Sequence, residues 1–441
     1  MQKTIFVCES CGEEFLTWSG KCSSCGSWNT IKEISLKTGP KTHGKQRVDI
    51  KPPEKLKDIK ISQYHRLSSF SSEFNRVLGD GIVPGSVILL GGEPGIGKST
   101  LVLQIASKIQ NDNKNSVLYV SGEESKEQIK MRADRLGIKT ENTYILCETN
   151  IDAILEAADK FLVSSSSLSL LVIDSIQTMY DEEFPSTPGS IVQVRETAMQ
   201  LQQYAKQKNI PIILVGHVTK EGSVAGPKIL EHLVDVVLYL EGDRFANLRI
   251  LQSIKNRFGA TQEVGVFEMA ESGMIEVKNP SKLFLQNYQD APGTAITSIL
   301  SGTRSFLIEI QTLITKSPFG YPKRVASGFD LRRLDLLLAV LEKRMEIPLN
   351  LYDVYVNIIG GMKIDDRAAD LAICASIYSI FQNQKIKEKT VFIGEVGLSG
   401  EIRNINQLEK RKKEAKALGF NNIIDSGAKT LNNALKLTTE I

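Results

Sequence analysis

No apolar run in the chain is long enough to cross a bilayer. The opening stretch MQKTIFVCESCGEEF lacks the apolar core and small-residue cleavage site of a secretory signal. The expected compartment is therefore the cytoplasm, with no membrane partner. A large charge of one sign is also missing: 54 Lys and Arg against 51 Asp and Glu leave +3, too little by itself to argue for nucleic acid. No internal repeat divides the 441 residues, a length that calls for two or three folded units. With 41% hydrophobic and 24% charged residues, the composition is that of an ordinary globular protein.

Cysteine is scarce and unevenly placed. Four of the six fall in the first 25 residues, as Cys8-x2-Cys11 and Cys22-x2-Cys25. A cytosolic chain rarely keeps disulfides, and each knuckle can place two thiolates on one tetrahedral Zn²⁺, so a structural zinc site is the leading reading and a redox pair the alternative. So few apolar residues would hardly fold without the metal. Trp18 and Trp28 flank the second knuckle and are expected to fill the small core, with a surface for a base or a partner protein as the alternative. Cys147 and Cys374 sit in apolar surroundings and are expected as buried thiols. Residues 36–60 carry Lys, Thr, Gly and Pro without apolar periodicity, a linker signature. The lysines between Lys37 and Lys60 make that linker either a solvated spacer or a phosphate-contacting arm.

From Leu67 the pattern alternates. Strands are expected at 86–90, 116–120, 168–173, 211–215, 234–240 and 248–254, and helices near 99–109, 125–136 (opened by a Ser125 cap) and 189–207. Continuous rather than alternating apolar strands argue a buried, mostly parallel sheet with helices on both faces. A turn-rich passage at 279–292 precedes a second α/β region, with strands near 305–315 and 353–358 and helices near 330–343 and 367–381. The expected division is 1–35, 36–60, 61–278 and 279–441.

Gly92-Glu93-Pro94-Gly95-Ile96-Gly97-Lys98-Ser99 matches G-x-x-x-x-G-K-[ST], after an apolar strand and before a helix that continues with Thr100. Glycines let successive N–H groups turn onto phosphates, and the helix dipole adds to them. This is an ATP site: Lys98 is expected on the β- and γ-phosphates and the Ser99 hydroxyl on Mg²⁺. Asp174 ends the apolar strand LLVI and is the expected second Mg²⁺ anchor. Glu123 is favoured for orienting or deprotonating the attacking water, with Glu124 as its rival. His217, after the strand at 212–216, is a candidate γ-phosphate sensor.

The four cysteines, GEPGIGKST, LLVIDSIQT and Lys255-Asn256-Arg257-Phe258-Gly259 together resemble the RadA (Sms) family of bacterial DNA repair proteins, over essentially the whole chain. The resemblance implies a RecA-like P-loop ATPase core with an N-terminal C4 zinc finger. It also implies a hexameric ring acting on single-stranded and branched DNA, and branch migration beside RecA, with a replicative helicase as a further partner. Lys255 and Arg257 would reach either a neighbour's nucleotide or DNA. A recombinase loader that does not translocate stays open beside a motor.

The last domain resembles the proteolytic domain of Lon-type proteases, which carries a Ser–Lys dyad. Ile364-Asp365-Asp366-Arg367-Ala368-Ala369-Asp370 matches the nucleophile turn, and Ala368 stands where the serine belongs. Alanine has no hydroxyl to activate, so peptide hydrolysis is not expected. The dyad lysine's place falls at Glu409, with Lys410 beside it. The basic run Lys410–Lys413 is either a solvated face or a phosphate track.

Overall fold

Apolar runs of strand length alternate with longer amphipathic stretches along the chain, and the computed structural model turns them into strands and helices in that order. It describes residues 3–8, 14–24, 26–36, 55, 57, 65–69, 71–109, 115–138, 141–164, 168–184, 186–217, 230–242, 247–261, 263–318, 321–359 and 364–436. Two compact units result: residues 1–241 with 249–276, and 242–248 with 277–441. Most of the lysine-rich stretch 37–60 lies outside the described residues.

At the N-terminus β1 (Lys3–Cys8) pairs antiparallel with β2 (Glu14–Phe15) and β3 (Ile31–Leu36). Cys8 and Cys22 are fully buried beside Ile31, with Phe6 and Phe15 packed against them. The Cys22 turn closes through Gly26 N–H to Cys22 O at 2.9 Å. Cys11 and Cys25 lie outside the described residues. Trp18 and Trp28 are not core fillers: they are 60% and 68% exposed. The cysteines and phenylalanines occupy the small interior instead. Trp18 Nε1 donates to Ile31 O at 3.1 Å, and the Lys21 ammonium sits 5.4 Å from the centroid of Trp28.

The larger part of the first unit begins with α1 (Ser72–Leu78), β4 (Val87–Gly92), α2 (Lys98–Ile109), β5 (Ser116–Ser121) and α3 (Lys126–Arg135). It continues through β6 (Thr143–Cys147), α4 (Ile151–Ser164), β7 (Leu168–Asp174), α5 (Ile191–Lys208), β8 (Ile212–Val215) and β9 (Val236–Glu241). It ends with β10 (Leu248–Asn256), β11 (Val264–Ala270) and β12 (Gly273–Glu276). Among the described residues these strands form one sheet, ordered β12-β11-β10-β9-β4-β8-β7-β5-β6. The run from β9 to β6 is parallel, and β10 turns back antiparallel on β9.

Strand side chains alternate between faces. Ile88 and Leu90 pack with α2 residues such as Leu101 and Ile105, while Val87 and Leu89 pack with Ile154 of α4 and Leu201 of α5. The sheet is thus covered on both sides, which is why its strands read as unbroken apolar runs. Each such leucine or isoleucine contributes about 1.5–3 kcal/mol by burial. Ser125 caps α3 with a reciprocal Gln128 bond, as its position before the helix suggested. β6, α4 and the β11–β12 hairpin have no counterpart in the sequence reading. β6 is an edge strand with a mixed pattern, and its Cys147 is exposed rather than buried.

The second unit holds α6 (Pro280–Phe284), β13 (Thr294–Ser301), β14 (Arg304–Lys316), β15 (Arg324–Ser327), α7 (Leu331–Met345) and β16 (Tyr352–Ile358). It continues with α8 (Asp370–Gln382), β17 (Thr390–Phe392), β18 (Glu395–Val396), β19 (Ile402–Arg403), α9 (Leu408–Ala417), β20 (Asn422–Ile424) and α10 (Leu431–Lys436). Its main sheet runs β15-β16-β14-β13-β17-β20, with β13 and β14 as an antiparallel hairpin. α7 forms because Asp330 caps Arg333 N–H at 2.8 Å and Leu334, Leu337, Leu338 and Leu341 repeat on one buried face. α8 is buried on almost every side, including Cys374.

Candidate active site

β4 ends at Gly92 and α2 starts at Lys98, so the intervening loop sits at the C-terminal edge of the sheet. Gly97 has φ +110°, and a Cβ there would lie 2.5 Å from Met274 Cε and 2.6 Å from Met269 Cε. The left-handed backbone favours glycine there, and a side chain would in addition have to displace the two methionine methyls. The loop then delivers its backbone to the start of α2, where the first turn carries no acid to oppose an anion. Glu93, Pro94 and Gly95 are the more open part of the loop, and Ile96 is buried. Ser99 and Thr100 are half-buried in the first turn of α2.

The other predicted groups come from neighbouring strand ends. Glu123 and Glu124 follow β5, Asp174 ends β7, and His217 follows β8. β8 lies between β4 and β7, and β5 adjoins β7, so four successive strand ends bring these residues together. Lys98 is 3% exposed, and its Nζ donates to Gly92 O at 2.9 Å, Glu93 O at 3.0 Å and His217 Nδ1 at 3.1 Å. An ammonium only donates, so Nδ1 must accept, and the imidazole proton sits on Nε2, 3.2 Å from Glu123 Oε1. Burial lowers the Lys98 pKa to about 8, against the opposing pull of Asp174 and then Glu123.

Glu123 and Glu124 face different surroundings. The hydrogen bond from His217 holds Glu123 down at about 2; burial opposes it, and the Ser175 hydroxyl, donating to Oε1 at 2.5 Å, adds to it. Glu124 instead pairs with Arg132, and its backbone N–H donates to Ser121 Oγ at 3.0 Å. Asp174 is 8% exposed, and its Oδ2 accepts from the Tyr119 hydroxyl. Ser175 and Tyr119 were missed as site residues. Their signal was adjacency: one follows Asp174 directly, and the other lies in the strand expected at 116–120, just before Glu123.

A carboxylate with one oxygen held by Tyr119 and a hydroxyl in the first turn of α2 are hard oxygen donors, a set that fits Mg²⁺. The buried thiols of Cys8 and Cys22, with Cys11 and Cys25 at knuckle spacing, are soft donors that fit Zn²⁺.

The 255–259 motif divides. Asn256 Nδ2 donates to Leu78 O at 3.2 Å and its Oδ1 accepts from Phe258 N–H at 2.9 Å, so it ties β10 to α1. A Cβ on Gly259 would lie 2.9 Å from Asn256 Nδ2. Phe258 packs against the core beside them. Lys255 Nζ donates to Glu231 O at 2.6 Å and Val234 O at 2.9 Å, and burial lowers its pKa. Arg257 is half-exposed and pairs with Asp235 at 3.2 Å.

In the second unit Ala368 is fully buried in a short turn capped by Asp366, whose Oδ1 accepts Ala368 N–H at 3.0 Å. Ala368 packs with Ile296, Leu307 and Ala415. The cation that reaches this turn is neither residue 409 nor Lys410 but Arg411, 2% exposed and 2.7 Å from Asp366 Oδ2. Lys410 donates to Thr303 O, and Lys412 pairs with Asp425 at 2.8 Å. The basic run is therefore largely committed to its own domain.

Three family models match the chain: an AAA domain over residues 51–223, a rubredoxin metal binding domain over 6–33, and the subunit ChlI of Mg-chelatase over 338–427. The DNA repair protein RadA of Bacillus subtilis (strain 168) is 48% identical over 429 residues, which is 96% of this chain and 92% of the relative. The DNA repair protein RadA of Campylobacter jejuni subsp. jejuni is 45% identical over 424 residues, 96% of this chain and 93% of the relative. Among solved structures, a KaiC-like protein from Pyrococcus horikoshii OT3 is 22% identical, covering 48% of this chain and 99% of its own, at a TM-score of 0.41. The parallel sheet with its phosphate loop is a RecA-like ATPase core, flanked in sequence by a zinc ribbon and a ChlI-like domain. With such identity over nearly its whole length, the chain belongs to the DNA repair protein RadA family.

Proposed function

We propose that this DNA repair ATPase is DNA-dependent and helicase-like, that it moves on single-stranded and branched DNA as a hexameric ring, and that it promotes branch migration beside RecA in the cytoplasm, with a replicative helicase as a further partner. The observation that carries the ATPase half is the convergence of Lys98, Glu123, Asp174 and His217 on the ends of β4, β5, β7 and β8. In this reading residues 92–100 cradle ATP and Lys98 leaves its loop carbonyls to meet the β- and γ-phosphates. Glu123, ionised across the physiological range, takes the proton of the attacking water. His217 bridges Lys98 and Glu123, so a phosphate that draws Lys98 away is felt at the carboxylate. Ser99 and Asp174 would hold Mg²⁺, which supplies charge neutralisation on the phosphates when bound.

Arg257 supports the ring: its guanidinium pairs with Asp235 on one side and is half-exposed on the other, where a neighbour's nucleotide or DNA would meet it, while Asn256, Phe258 and Gly259 hold the strand that presents it. The functional division we propose is 1–35 zinc module, 36–60 linker, 61–278 ATPase and 279–441 scaffold. The test is ATP turnover with and without single-stranded DNA, followed by branch migration on a forked substrate. DNA stimulation without any strand movement would favour the recombinase-loader reading. Turnover indifferent to DNA would remove the proposal. Arg257→Ala is expected to abolish DNA stimulation while nucleotide still binds.

A further inference from the structure

β10 carries a buried cation that faces the phosphate loop from behind. Arg249 is 7% exposed, and its Nε donates to the Ile96 carbonyl at 3.0 Å. In a trans peptide the carbonyl of one residue and the N–H of the next point in opposite directions. Holding the Ile96 carbonyl on Arg249 therefore aims the Gly97 N–H away from it, as a nest of inward N–H groups requires. A wall stands behind the same peptide: Gly97 lies against the methyls of Met269 and Met274, which face each other across the β11–β12 hairpin. The hairpin is fastened to α2, since Met274 N–H donates to Gln104 Oε1 at 2.9 Å. It is fastened to α1 as well, since the Ser72 hydroxyl donates to Glu276 Oε2 at 2.6 Å. Arg249 adds a buried cation to this wall.

We infer that Arg249 is a positioning residue for nucleotide binding: it orients the Ile96–Gly97 peptide and sets a guanidinium charge behind the phosphate loop. The inference rests on the nucleotide-site reading and adds to it a residue 153 positions from the loop. Because Arg249 acts on the loop before any bond changes, it governs affinity for the phosphates rather than the rate of the chemical step.

Calorimetric titration of the full chain with ADP and with a non-hydrolysable ATP analogue tests this. Arg249→Met is expected to weaken both by about tenfold, the effect of one charge-assisted hydrogen bond, while turnover at saturating ATP stays near wild type. Leu251→Val, in the buried core of the same strand but not on the loop, is expected to leave both affinities unchanged. Wild-type affinity in Arg249→Met, or an equal loss in Leu251→Val, overturns the inference; so does a fall in saturated turnover with affinity intact. If the methionine variant does not fold, Arg249→Gln carries the test, because it keeps a neutral donor. It should bind ADP several times more weakly, and wild-type binding there is equally fatal. A wild-type chain that binds neither nucleotide removes the site reading itself, a result separable from all of these.

Discussion

Two turns in this molecule lead from a strand region into a helix past a buried cation, and they have opposite characters. At the loop before α2, Lys98 touches, among the described residues, only neutral acceptors: two carbonyls and an imidazole. Among the described residues no carboxylate lies within ion-pair distance of it, and its charge is depressed by burial. At the turn before α8, Arg411 is just as buried but already matched by Asp366, and Ala368 fills the spot beside it with core. A buried charge without a contacting counter-ion is expensive unless something arrives to neutralise it. The first turn is therefore built to receive an anion, and the second is closed on itself. The difference lies in whether charge has been left unmatched, not in how much charge is present.

That contrast can be broken at either end. The largest expected effect is Lys98→Ala, which should drop ATP turnover to background, at least about a thousandfold; hydrolysis at the wild-type rate would remove the open turn's role. Next comes Glu123→Gln, expected to cost about a hundredfold or more in turnover while ATP still binds. Glu124→Gln should cost little, because its partner is Arg132. Equal damage from both would mean that the division between the two carboxylates is wrong.

At the closed turn, Ala368→Ser puts a hydroxyl into an apolar cluster and should destabilise the second unit by about 1–3 kcal/mol in denaturant titration. It should not restore peptidase activity on casein, since the nearby cation is already paired. ATP-dependent casein degradation by this variant would show that the turn is less closed than its packing implies. The smallest effect is in pH. Below about 8 Lys98 carries its proton in the free protein; above that value nucleotide binding must recruit one. Affinity for ADP should thus fall about tenfold per pH unit as pH rises beyond 8, and a flat profile would argue against direct contact between Lys98 and phosphate.

Much of the open turn was legible in the sequence because its chemistry is local. The phosphate loop is eight contiguous residues, Asp174 ends an apolar strand, and Glu123 lies two residues past the end of another. What could not be read was the pairing across long separations. Lys98 meets His217 119 positions away, and Arg249 reaches back to Ile96, contacts that depend on strand order rather than on spacing. The alternation of apolar runs announced the parallel sheet. It did not announce β6, a five-residue strand with a mixed pattern, or the β11–β12 hairpin, where Gly265 and Glu268 interrupt the apolar run of β11 and β12 has only four residues. Trp18 and Trp28 were misread for a related reason: among the described residues of so small a module, Cys8, Cys22, Ile31 and two phenylalanines form the interior, and the indoles lie outside it. Arg411 was hidden inside a basic run, where sequence alone cannot distinguish a solvated lysine from a buried arginine.

The exposed indoles have a spectroscopic consequence. Both tryptophans of the chain belong to the cysteine module, and none belongs to the sheet that holds the phosphate loop. Red-edge ultraviolet emission from this protein thus reports on one small part of it, while the tyrosines, spread more widely, report on the rest. Metal removal and nucleotide titration can be followed by separate optical signals in a single sample, without attaching a dye.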